Sequence, residues 1–127
     1  MTLFEECKEA LSADFNIVDG ECENDVVEIF GTYPFVAGNV DWSKIKYSDY
    51  ESIDDILRGN VIRIDDVFVI VDDSSVPIFR TKLKLIAENV YDVTALSPKL
   101  FIFNSEIILQ PLFPTEVFRL GIKVGDA

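Results

Sequence analysis

The chain has 127 residues, with 23 Asp and Glu against 11 Lys and Arg, a net charge of −12, and no histidine. That balance excludes a direct grip on nucleic acid, whose phosphates need cationic contacts, and on an anionic membrane surface. It fits a basic protein partner or plain solubility, and an apolar content of 49% in a chain of this length fits one domain spanning 1–127 with a core of its own.

In chain order, TLFEECKEAL reads as an N-terminal helix, with Thr2 and Glu5 as a capping box and Leu3, Phe4, Cys7 and Leu11 on one face. Residues 15–18 and 26–30 read as strands around an Asp-Gly turn, followed by an irregular stretch, GTYPFVAGNVDW, long enough to carry function. SDYESIDDILRGN reads as a second helix, with Ser48 and Glu51 as its capping box and Gly59 beyond its end. Residues 61–64 and 67–71 read as a hairpin turning at Asp65-Asp66, with 67–71 a central strand covered on both faces. Over 76–96, Phe79, Leu83, Ile86, Val90 and Thr94 step by three and four and predict a long helix, although TKLKLI within it alternates like a strand. A hairpin around Asn104-Ser105 follows, and EVFRLGIKV reads as a final strand or as a short helix followed by one. The composite is α+β: about three helices and a mostly antiparallel sheet of about five or six strands.

The charge is lopsided. Residues 1–73 carry eighteen acids and five bases, whereas residues 74–127 carry five acids and six bases. Three Asp pairs stand out in the first part: Asp54-Asp55, Asp65-Asp66 and Asp72-Asp73. Neighbours on a helix diverge by about 100°, so Asp54 and Asp55 chelate one ion poorly. Asp65-Asp66 fits a turn, and Asp72-Asp73, at a strand end, is the best placed for a site. No EF-hand spacing is present. Without histidine there is no Ser-His-Asp or Cys-His arrangement, and no nucleophile-elbow or phosphate-loop motif appears. No catalytic, metal or cofactor residue is therefore expected. Cys7 and Cys22 read as reduced thiols.

The acids Glu21, Glu23, Asp54, Asp55, Asp65, Asp66, Asp72 and Asp73, with Trp42 as an aromatic contact, are the candidate partner-binding residues. The start MTLFEECKEALSADF lacks the cationic and apolar regions of a signal peptide, and no apolar run approaches the roughly 20 residues of a membrane span. A cytoplasmic protein is expected.

From MTLFEECKEALSADFNIVDG to YDVTALSPKLFIFNSEIILQPLF the chain resembles an immunity protein of a bacterial contact-dependent growth inhibition system. The resemblance covers the whole chain and implies a partner: the C-terminal toxin domain of a large adhesin, often a nuclease, with a tRNA-cleaving one preferred. It implies no catalytic residue. An acidic inhibitor of that kind fills a cationic cleft by imitating phosphates. Two other readings share the residues: a small metal-dependent enzyme or regulator using the Asp pairs, and an acidic adaptor for another basic protein.

Overall fold

The computed structural model describes residues 2–123. Its elements run α1 (Leu3–Ala10), β1 (Phe15–Ile17), α2 (Gly20–Phe30), β2 (Phe35–Val36), β3 (Asn39–Val40), a 3₁₀ turn (Trp42–Lys44), β4 (Tyr47–Tyr50), α3 (Ile53–Gly59), β5 (Asp66–Val71), β6 (Phe79–Lys82), α4 (Leu83–Glu88), α5 (Val90–Thr94), β7 (Leu100–Phe103), β8 (Ile107–Pro111) and β9 (Phe118–Ile122). Seven strands form one antiparallel sheet in the order β1-β6-β5-β7-β8-β9-β4, and β2 and β3 form a separate hairpin. The class is α+β, as expected, with more strands and helices than the sequence pattern predicts.

Period-2 burial explains the layering. Along β5, Val67, Val69 and Val71 are buried on one face, while Phe68 and Ile70 are half-buried on the other. The first face joins Phe79, Ile102, Leu109 and Leu120 to a cover made by α1, α3, α4 and α5, through Cys7, Leu11, Ile53, Ile56, Leu83, Ile86 and Val93. The second face, through Phe101, Phe103 and Ile108, packs under α2 and the β2–β3 hairpin, with Val26, Ile29, Phe30, Tyr33 and Val40. The sheet is thus covered on both faces, and β5 is flanked by β6 and β7. Burial of this kind is the dominant stabilising term.

The N-terminal helix forms with its capping box: the Glu5 amide donates to Thr2 Oγ1 at 3.1 Å, and Glu5 Oε1 accepts from the Thr2 amide at 3.4 Å. Four other expectations are corrected. Residues 26–30 are the end of α2, not a strand. Their β-branched composition is overridden because Val26, Ile29 and Phe30 share one helical face that reaches the sheet. Gly20, at φ +61°, turns the chain from β1 onto that face.

The expected helix at 48–59 is strand β4 followed by α3, whose cap is Ser52 (Asp55 amide to Ser52 Oγ, 3.1 Å), not Ser48. Pairing with β9 wins at residues 47–50, reinforced by a bidentate bond from Arg119 to Asp49 at 2.8 and 3.0 Å. Residues 61–64 form no strand. The amides of Arg63 and Ile64 donate instead to the Glu106 carboxylate at 3.0 Å.

The expected long helix over 76–96 is strand β6, then α4 and α5, broken at Asn89. Phe79 and Thr81 are buried on β6, and their neighbours Arg80 and Lys82 are not. Two flanking strands capture that alternation before the helical stripe begins at Leu83. Both elements feed one core, which is why strand and helix spacing coexist.

Cys7 and Cys22 are both free, and they lie under opposite faces of the sheet. Cys7 is fully buried, and burial, followed by the nearby charge of Asp92, pushes its thiol up to about 12. Cys22 is exposed. One equivalent of a thiol reagent is therefore expected to react with the native protein, at Cys22, and the second only on unfolding. Mass spectrometry of the labelled native protein checks this, and modification at Cys7 without unfolding would refute it.

Candidate functional site

The strand registers define two ends of the sheet. At one, β1, β4, β5 and β8 finish and β6, β7 and β9 begin, since Ile17 pairs with Phe79, Val71 with Leu100, Pro111 with Phe118, and Tyr50 with Phe118. The chain leaves this end through segments that carry Asp19, Glu21 and Glu23 (into α2), Glu51 and Asp54 (into α3), Asp72 and Asp73 (after β5), and Glu116 (between β8 and β9). All eight are exposed, and among the described residues none forms an ion pair. Lys99, which directly precedes β7 at this end, donates to the Gly38 carbonyl at 2.6 Å. Turn chemistry holds Asp73: its carboxylate accepts from the Ser75 hydroxyl at 2.7 Å and amide at 2.9 Å, which lowers its pKa.

The opposite end is balanced. Arg80 binds Asp14, Asp66 (2.7 Å) and Asn16, and Lys82 binds Asp66 at 2.8 Å. Lys82 first, with Arg80, holds the Asp66 carboxyl below its ordinary value of 3.8. A depressed carboxyl contributes stability that is complete above its unfolded value and is lost as pH falls through the folded one. The stability difference between the parent and Lys82→Met should therefore be full at pH 7 and close below pH 3.8. Denaturant titrations at pH 7, 5 and 3 check this, and a gap of constant size at all three would contradict it.

The structure scatters the nine sequence-derived candidates. Glu21, Glu23, Asp54, Asp72 and Asp73 gather at the acidic end. Asp65 and Asp66 lie at the other end of β5, a strand of six residues spanning about 17–20 Å. Asp55 turns to Arg58 on the exposed side of α3, and that bond lowers its pKa. Trp42 lies over β8 and β9: its Nε1 donates to Gln110 at 3.3 Å, and Arg119 sits 5.6 Å from its ring. A Cβ on Gly121 would come within 3.0 Å of the indole, so this strand glycine seats the ring.

Four residues of the acidic end region are not among the partner-binding candidates read from the sequence: Asp19, Glu51, Glu116 and Tyr91. Tyr91 lies off the apolar stripe of the 76–96 segment, and an aromatic outside a core stripe was the available signal. No group of three or more Cys, Asp or Glu side chains converges as a metal site among the described residues. No helix among them is long and apolar enough to cross a membrane.

A comparison with protein families settles what such a chain is. The family described as CdiI immunity protein EcoliA0-like matches residues 1–121. The chain belongs to this family of CdiI immunity proteins. A comparison with curated proteins finds no match. Membership makes this CdiI protein a toxin-neutralising immunity protein with a cognate toxin as its partner. The match runs from α1 to within β9, so it takes in all of the sheet but the last residue of β9, and every segment that carries the acidic end.

Proposed function

We infer that this CdiI protein neutralises a nuclease, the C-terminal toxin domain of a large adhesin, by laying the acidic end of its sheet into the cationic active-site cleft. The toxin cleaves RNA, with tRNA the preferred substrate, and the encounter takes place in the cytoplasm. Glu21, Glu23, Asp54, Asp72 and Asp73 contact the cleft, while Asp55, Asp65, Asp66 and Trp42 serve the fold. The protein has no turnover of its own. The observation that carries this reading is the row of exposed carboxylates at one end of the sheet that form no ion pair among the described residues. A nuclease must offer cations where the phosphates lie, and an opposite field steers the two proteins together.

The test uses the cognate toxin domain, inactivated in its nuclease site. A one-to-one complex is expected that excludes RNA, with RNA and the immunity protein competing for the toxin. A ternary complex with RNA still bound would end the cleft-covering reading, though not neutralisation itself.

A further inference from the structure

At the acidic end, a groove of about 530 Å³ opens between the start of α3, α5 and the β8–β9 connection. That volume falls within the range of well-formed binding pockets. Ile53, Val90, Pro111 and Phe118 give it an apolar floor. Tyr91 and Phe113 line it and are 75% and 68% exposed, the two most exposed aromatic side chains among the described residues. The wall bearing Phe113 is braced by backbone bonds from Leu112 to Val117 and from Thr115 to Leu112, both 2.9 Å. Glu51, Asp54 and Glu116 also line the groove, and among the described residues no lysine or arginine does.

These features restrict the occupant. A wholly apolar ligand would leave three carboxylates desolvated and without partners, which is costly. An anion is repelled. A side chain with an aliphatic stem and a cationic head satisfies both floor and walls. Arginine fits better than lysine, because its planar group stacks on aromatic faces and bonds carboxylates in a fork. A toxin that grips RNA supplies such side chains.

We propose that the groove receives an arginine-bearing segment of the toxin domain, its stem against Tyr91 and Phe113 and its guanidinium against Glu51, Asp54 and Glu116. This rests on the reading that the acidic end faces the toxin. It makes the groove the dry anchor of that interface and the remaining carboxylates its steering rim.

The experiment measures binding of the inactivated toxin domain by surface plasmon resonance, with melting curves as a check on folding. The double variant Tyr91→Ala/Phe113→Ala should weaken binding about 30-fold or more, chiefly through faster dissociation. Ala95→Trp, which fills the groove from an exposed position on its wall, should do the same without deleting a contact. If both variants bind like the parent while Glu21→Lys/Asp72→Lys does not bind, the groove proposal falls and the acidic-end reading stands. If none of the three changes binding, both fall. A parent protein that dimerises, and that Tyr91→Ala/Phe113→Ala makes monomeric, would overturn the proposal in favour of a second copy as occupant.

Discussion

A variant carrying Glu21→Lys, Glu23→Lys and Asp72→Lys is expected to lose protection of toxin-expressing cells while remaining folded. All three side chains are exposed, and among the described residues none makes an ion pair, so their replacement removes no internal ion pair. Opposed like charges across an interface cost several kcal/mol, and three of them should weaken toxin binding at least about 100-fold. The parent's association rate should fall steeply with salt, because the screening length drops from about 10 Å at 0.1 M to about 3 Å at 1 M. The variant's should not. Lys84→Glu on α4, exposed and without an ion pair among the described residues, is the matched control and should protect like the parent. Stopped-flow association and a growth assay read the outcome. Full protection by the triple variant would sink the electrostatic reading.

The second large effect concerns the fold. Asn104 is 2% exposed and makes four side-chain hydrogen bonds. Its Nδ2 donates to the carbonyls of Ile64 and Asp66, both at 3.0 Å, and its Oδ1 accepts from the amides of Glu106 at 2.7 Å and Ile107 at 2.9 Å. Its own carbonyl accepts from the Tyr33 hydroxyl at 2.6 Å. One side chain therefore ties the turn between β7 and β8 to the strandless 61–64 segment. Asn104→Asp replaces a double donor with an oxygen that faces two carbonyls. Buried groups left without partners cost roughly 1–3 kcal/mol each. The expected loss is about 3–4 kcal/mol, seen as a melting temperature lowered by roughly 10 °C. Asn104→Ala should cost somewhat less, since it removes partners without adding repulsion. A variant that melts with the parent would show that water replaces these bonds.

Asn104-Ser105 was legible in the sequence as a hairpin turn, but the buried role of its amide was not. Turn residues announce backbone geometry, whereas the carbonyls of Ile64 and Asp66 that this amide reaches lie 40 and 38 positions away. The same limit explains the rest. Capping chemistry is local, and the Thr2–Glu5 box formed as read. Near 48–59, two overlapping serine-acid spacings competed, and β9, some 70 residues later, decided between them. In 76–96 both periodicities were genuine, and partner strands decided where one gave way to the other. The lopsided charge was visible in composition. Its gathering at one end of the sheet was not, because Glu116 joins Asp19 and Glu51 only through strand register. The Asp pairs drew the eye as a repeat, yet β5 carries two of them to opposite ends and α3 holds the third.

The position of β9 has a consequence for when protection begins. Among the described residues it is the last strand in the chain, yet it lies between β8 and β4, and it is the one partner of β4 in the sheet. A chain still on the ribosome can assemble β1, β5 and β6, but residues 47–50 must wait unpaired until 118–122 emerge. Such long-range closure is slow compared with local folding. Glu51 and Asp54, which follow β4, reach their places only then. Newly made chains thus complete the sheet, and with it the acidic end, only after residues 118–122 have been made.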